Sequence, residues 1–254
     1  MVLVSFYWFR LKRRLRKMDM LFPTSLKSPP RELTPIRVAV RRATRKLASL
    51  ARARRPMLYP TYGEDVRERI EQYHDDVRYA TLALALQRLE TEKIEGSFAE
   101  VGVFQGATSL FIHRQCPHRT LFLFDTFEGF DRQDMEHGLD QRFKETSVAA
   151  VRKLLGNSST LQFQAGRFPE TSIGLEKERF AFVMLDVDMY RPSLETFRFF
   201  YPRMVRGAYF FMHDYNSPES ERAVLRAATE FMKDKPELLV EIPDYSGSAL
   251  FRKI

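Results

Sequence analysis

Five short runs of apolar, β-branched and aromatic residues, each separated from the next by a helix-length stretch, constrain this chain more than any other feature. They occupy residues 98–104, 120–124, 161–163, 180–185 and 208–212. Strands that alternate with helices in this way run parallel, because each return passes through a helical crossover, and such a sheet is covered on both faces. The pattern predicts a doubly wound α/β fold of Rossmann-like type on a mostly parallel, seven-stranded sheet. Residues 219–233 read as a helix, and residues 238–242 and 248–252 as the last two strands. The link at 244–247 is too short for a crossover of about a dozen residues, so that pair forms an antiparallel hairpin. Ahead of the first run, Val66, Ile70, Tyr73, Val77, Ala80 and Leu84 recur at spacings of four and three, which predicts one amphipathic helix.

Charge divides the chain in two. The formal net charge of +8 conceals a basic segment, residues 1–60, with 16 of the 41 Lys and Arg and just two acids, Asp19 and Glu32. The remainder holds 25 basic and 31 acidic residues, so the basic character belongs to the extension and not to the folded body. Residues 1–57 read as a proline-containing basic extension, partly disordered or helical, and residues 58–254 as one catalytic domain. The cluster at 10–17 beside Phe6, Tyr7, Trp8 and Phe9 suits peripheral contact with an anionic membrane surface. Nucleic acid is disfavoured, since aromatic and basic residues do not interleave as in a stacking platform. The apolar opening at 2–9 is too short to span a bilayer, and the basic cluster follows it, which is the wrong order for a signal peptide. A single cysteine, Cys116, excludes an intramolecular disulfide and a thiolate zinc cluster, and a cytoplasmic setting is expected.

The chemistry concentrates at strand ends. The first strand ends in Glu100-Val-Gly-Val-Phe-Gln-Gly106-Ala-Thr-Ser, where Gly102 and Gly106 allow a tight turn and close approach of a ligand. The G-x-x-x-G spacing lacks the third glycine of a dinucleotide-binding turn, and the acid at 100 suits a cationic cofactor better than a pyrophosphate. A purely structural strand-to-helix turn satisfies the same glycines. Asp125 ends the second strand, where a carboxylate reaches the ribose hydroxyls of an adenosine, or else caps the turn to Gly129. Phe127 is placed to lie against adenine, or in the core.

The fourth strand ends in Leu185-Asp186-Val-Asp188-Met-Tyr190 and the fifth in Met212-His213-Asp214-Tyr215-Asn216. Three carboxylates and an imidazole meeting there without nearby lysines call for a divalent cation, magnesium first. Such an ion would lower the pKa of an attacking hydroxyl. Asp188 has a second reading as the cap of a helix through Leu194, Phe197 and Met204. His74, His113, His118 and His137 show no paired metal spacing and read as surface or satisfied side chains.

Together, Glu100-Val-Gly-Val-Phe-Gln-Gly, Phe124-Asp-Thr-Phe-Glu-Gly-Phe130, Leu185-Asp-Val-Asp-Met-Tyr190 and His213-Asp-Tyr-Asn216 resemble the macrocin O-methyltransferase family over roughly residues 60–254. The resemblance implies a class I, magnesium-dependent, often oligomeric enzyme that uses S-adenosylmethionine to methylate hydroxyls of antibiotic glycosides. Cofactor contacts are then expected from Glu100, Gly102, Gly106, Thr108, Ser109, Asp125, Thr126, Phe127 and Asp186. Metal ligands are expected from Asp186, His213 and Asp214, and the substrate's base from Asp188 or His213. The pair His213-Asp214 stands where the best-known members carry two aspartates, a departure that leaves three readings: a preference for manganese, a more weakly held metal, or His213 acting directly as a base. Tyr59 and Tyr62 are candidate acceptor contacts. Two other readings compete: a nucleotide-sugar glycosyltransferase whose metal sits on Asp186-Val-Asp188, and a non-catalytic binding module docked by its basic extension.

Overall fold

Every residue of the strand Phe180–Leu185 is buried, and Ser97–Val101 beside it and Leu121–Asp125 one strand further on are buried almost throughout. Only a sheet packed on both faces hides such runs completely. The computed structural model describes residues 64–73, 75–135 and 142–254, all within the unit Met57–Ile254. The expectations for residues 1–57, Tyr59, Tyr62, His74 and His137 lie outside the described residues.

Seven strands form one sheet: β1 (Ser97–Val101), β2 (Leu121–Asp125), β3 (Leu161–Ala165), β4 (Phe180–Leu185), β5 (Met204–Met212), β6 (Val240–Ile242) and β7 (Ser248–Arg252). Their order is β3-β2-β1-β4-β5-β7-β6. The first five pair in parallel, and β7 runs antiparallel to both β5 and β6, as the short link required. That link is held by Asp244, whose Oδ1 accepts from Gly247 N at 2.7 Å and Ser248 N at 2.9 Å. The chain leaves β1 toward β2 and β3 and then returns to β4 on its other side. This reversal opens a crevice beyond the carboxyl ends of β1 and β4.

One face of the sheet packs on the helices α1 (Glu64–Glu71), α2 (Asp76–Thr91), α3 (Ala107–Gln115) and α4 (Val148–Leu155) around Phe98, Phe182 and Phe211. The other packs on α5 (Tyr190–Phe200) and α6 (Ala223–Met232) around Phe180, Phe197, Phe210 and Phe251. Each of these rings, fully withdrawn from water, contributes about 1.5–3 kcal/mol. Among the described residues no helix is long and apolar enough to cross a membrane.

Three local expectations are corrected. The single helix through Val66 and Leu84 is two helices, because Asp75 accepts from Arg78 N at 3.2 Å and caps a fresh start. The second helix therefore buries Tyr79, Leu82 and Leu86, and leaves Val77 and Leu84 at the surface. The helix expected from residue 219 begins at Ala223, since Glu221 and Arg222 take left-handed backbone angles after the turn at Pro218. Met204 starts β5 and does not extend the helix before it.

Candidate functional site

The four strand tips read from the sequence surround one cavity of about 380 Å³. At the tip of β1, Gly102 has φ +92°, and a Cβ there would lie 2.0 Å from the carbonyl oxygen of Asp186. No other residue fits, because Asp186 N donates to Val101 O at 2.8 Å and brings the tips of β1 and β4 together. Glu100 is buried behind this turn, its carboxylate hydrogen-bonded by the Ser109 hydroxyl. Burial pushes the Glu100 carboxyl up to about 8 against that hydrogen bond, with Asp186 and Asp125 reinforcing the rise.

Asp125, at the tip of β2, ties the neighbouring loop in place. Its Oδ2 accepts from Val103 N at 2.7 Å and Phe104 N at 2.8 Å, and its Oδ1 from Phe127 N at 2.6 Å. Asp125 closes its own turn through Phe127 N, and it also lines the cavity. Thr126 also lines the cavity and donates to Gly129 O at 2.5 Å.

At the tips of β4 and β5, His213 Nδ1 stands 2.9 Å from Asp186 Oδ1 and 3.1 Å from Asp214 Oδ2. Burial alone would lower this imidazole, yet the Asp186 and Asp214 carboxylates push it up to about 10, so the ring is an imidazolium held between two acids. Burial would raise Asp214, but the His213 hydrogen bond and charge hold it below the ordinary carboxylate range. Asp188 goes the other way: burial raises it, and the charges of Asp214 and Asp186 add to the rise. Its Oδ1 is buried without a hydrogen-bond partner. Asp188 does not cap the following helix. That helix begins after Met189 with no side-chain cap, and Asp188 itself sits at φ +57°.

Asp186, His213 and Asp214 each offer a ligand atom, and these atoms lie within 4.8 Å of one another. Two carboxylates and an imidazole beside the unpartnered Asp188 oxygen fit a divalent cation that accepts mixed oxygen and nitrogen donors. The expectation of no nearby lysines does not take arginine into account, and two arginines reach the cluster. Arg78 Nη1 is 4.0 Å from Asp186 Oδ2, and Arg142 Nη1 is 3.6 Å from Asp188 Oδ2. Arg78 comes from α2 and Arg142 from a loop beyond β2, so neither belongs to a strand-tip motif.

Of the expected cofactor contacts, Glu100, Gly102, Thr108, Asp125, Thr126 and Asp186 line the cavity. Three do not. Gly106 supplies a left-handed start to α3, and a Cβ there would meet Val151 at 2.8 Å. Ser109 is buried against Glu100 and positions it. Phe127 takes φ +56°, which turns its ring into the core toward Phe163, 6.2 Å between centroids. The aromatic wall is made instead by Phe104, Phe130, Phe143 and Phe168. Arg167 also lines it, locked on buried Asp134 by bonds of 2.6 and 2.9 Å. His113 and His118 lie away from the cavity, the latter 3.1 Å from Glu90.

The pattern of the macrocin-O-methyltransferase (TylF) family matches residues 61–241, most of the chain. The chain belongs to this family. It is 26% identical over 151 residues to mycinamicin III 3''-O-methyltransferase of Micromonospora griseorubida, covering 52% of this chain and 59% of that one. It is 23% identical over 156 residues to 8-demethyl-8-(2,3-dimethoxy-alpha-L-rhamnosyl)-tetracenomycin-C 4'-O-methyltransferase of Streptomyces olivaceus, covering 54% and 60%. The chain thus spans 59% and 60% of the length of these two relatives. Among solved structures it superposes on the O-methyltransferase NovP with a TM-score of 0.61 at 20% identity, over 85% of this chain and 98% of that one. The calicheamicin methyltransferase CalS11 gives 0.59 at 17%, over 90% and 99%. At these identities the likeness establishes the Rossmann-like methyltransferase fold of this TylF-family chain.

Proposed function

We propose that this TylF-family chain transfers the methyl group of S-adenosylmethionine to a hydroxyl of a small molecule, with a sugar of a glycosylated natural product as the acceptor. One observation carries the reading. The turn at Gly102, the Asp125 tip and the acidic cluster at Asp186, Asp188, His213 and Asp214 line a single cavity, where an adenosyl donor and an acceptor hydroxyl can meet. The name of one relative, which contains a rhamnosyl tetracenomycin, supports the sugar. The glycosyltransferase alternative places its metal on both acids of Asp186-Val-Asp188, whereas Asp188 stands outside the cluster of possible ligands.

The acceptor oxygen attacks the sulfonium methyl in line, the methyl–sulfur bond breaks, and S-adenosylhomocysteine leaves. Asp188 takes the hydroxyl proton, because it lines the cavity and burial with the charges of Asp214 and Asp186 raises its carboxyl's affinity for a proton. His213, clasped as an imidazolium between Asp186 and Asp214, is the poorer base. A divalent ion, manganese or magnesium, would be held by Asp186 and Asp214, and by His213 once its imidazolium has given up a proton, and would supply charge stabilisation to the attacking oxygen. Alignment of donor and acceptor by the strand tips contributes the larger share of the rate.

Thermal melting tests the reading, with S-adenosylhomocysteine, with UDP and with neither, each in a divalent metal and in EDTA. At 100 times its dissociation constant a ligand adds about 2.7 kcal/mol of stability. S-adenosylhomocysteine should raise the melting point and UDP should not. The reverse result would overturn the donor.

A further inference from the structure

Arg78 lies in the first turn of α2 with its guanidinium on the cavity wall, its side chain 15% exposed. It is poorly satisfied there. Nη2 donates to the Tyr79 hydroxyl at 3.1 Å, Nη1 stands 4.0 Å from Asp186, and Nε is buried without a partner. A separation of 4.0 Å is too long for a hydrogen bond, so a guanidinium with five donors is left with most of them unused in a partly dry site. Leaving donors buried and unbonded is costly, and an anion with two oxygens is what a planar guanidinium satisfies best.

The neighbouring element points the same way. The Tyr79 hydroxyl is 3.1 Å from Thr108 Oγ1, which links Arg78 to the first turn of α3. That nine-residue helix starts at Gly106 with no side-chain cap, and its first residues, Ala107 and Thr108, line the cavity. Free N–H groups and the positive end of the helix dipole favour an anion at this place. The acids Glu100 and Asp186 line the same wall. The wall therefore offers a cationic and an acidic patch side by side, as an α-amino acid demands. Arg167 is consumed by Asp134, and Arg142 pairs with Asp188; among the described residues that line the cavity, Arg78, whose guanidinium has the charges of Asp186, Asp75 and Asp244 around it but donates no hydrogen bond to them, is the cation suited to an incoming carboxylate.

We propose that Arg78, with the first turn of α3, binds the α-carboxylate at the amino-acid end of the cofactor, while Glu100 and Asp186 face its ammonium. This rests on S-adenosylmethionine being the donor, and it adds the contact that fixes which way the donor lies. With the carboxylate at α3 and the ribose at Asp125, the sulfonium between them faces the tips of β4 and β5.

The test is calorimetric titration of wild-type protein, Arg78→Met and Arg78→Lys with two ligands. One is S-adenosylhomocysteine. The other is S-adenosyl-3-thiopropylamine, which keeps the adenosine, sulfur and amine but lacks the carboxylate. Arg78→Met should weaken S-adenosylhomocysteine about 10- to 100-fold, the range of a lost charge-assisted pair, and leave the amine within about twofold. Arg78→Lys should recover part of the loss. Equal weakening of both ligands, or none of either, overturns the assignment, since a merely structural arginine does not discriminate between them. A wild-type protein that binds neither ligand overturns the donor itself, a separate failure.

Discussion

The Asp125 carboxylate accepts the backbone N–H groups of Val103 and Phe104, so the tip of β2 holds the loop that leaves β1. A third bond, from Phe127 N, leaves roughly one of about four acceptor positions on the carboxylate for a ribose hydroxyl. Asp125→Ala thus removes a ligand contact and three ties on the binding loop together. The expected result is a fall in S-adenosylhomocysteine affinity of about 100-fold or more, with a lowered melting point of the free protein. An unchanged dissociation constant would remove Asp125 from the ribose role.

Gly102 and Gly156 separate steric need from backbone preference. Both have positive φ, +92° and +82°, but a Cβ at 102 would strike the Asp186 backbone at 2.0 Å, while nothing lies within 4 Å of one at 156. Gly156→Ala should cost about 1–3 kcal/mol, the penalty of placing a side chain at φ +82° and ψ 176°, a region that glycine alone adopts freely. Gly102→Ala should cost about 4 kcal/mol or more, because the tips of β1 and β4 must part. Denaturant unfolding of both variants measures the difference, and equal losses would show that the approach of the two tips is not tight.

Much of this arrangement was legible in the sequence, for a definite reason. Strands buried on both faces, such as Phe180–Leu185, read as unbroken apolar runs, and the residues that end those runs must stand at one edge of the sheet. Glu100, Asp125, Asp186 and His213 were found on that logic. Arg78 and Arg142 were not, because they reach the site from a helix and a loop whose place over the sheet is set by packing and carries no spacing signal. Of the two readings of Phe127, adenine contact or core, the structure takes the core. Its position in the chain follows Asp125 into the site, but the left-handed backbone at 127 sends its ring into the core.

The Glu100 carboxyl predicts a pH dependence with a definite sign. Its ordinary value is 4.5, and burial first of all raises it to about 8 in the folded protein. Between those values the folded state holds a proton that the unfolded chain has lost. Its contribution to stability is therefore complete below 4.5 and is lost as the pH rises through 8. Glu100→Gln has no such proton, so its melting point should gain on that of the wild type from about pH 5 to pH 9. Parallel curves would show that Glu100 is ionised throughout. If the cofactor's ammonium faces this carboxyl, binding also expels the proton at neutral pH. Titrations in buffers of different ionisation enthalpy should find about one proton released by the wild type and none by Glu100→Gln.

His213 offers the sharpest test of the metal proposal, because it stands in a cluster otherwise built from carboxylates. Its Nδ1 is within 3.1 Å of both Asp186 and Asp214, so a cation entering the cluster must replace an imidazolium that already balances those charges. That competition weakens a hard ion such as magnesium more than manganese, which accepts nitrogen more readily. His213→Asp removes the internal cation and adds an oxygen donor. Its magnesium affinity, measured by calorimetry, should rise about tenfold or more relative to manganese, and its melting point in EDTA should fall as unbalanced acids crowd together. Wild-type protein should lose methyl transfer in EDTA and regain more of it with manganese than with magnesium. If the wild type works equally well in EDTA, the imidazolium is the site's working cation, and Asp186, His213 and Asp214 are not metal ligands in this chain.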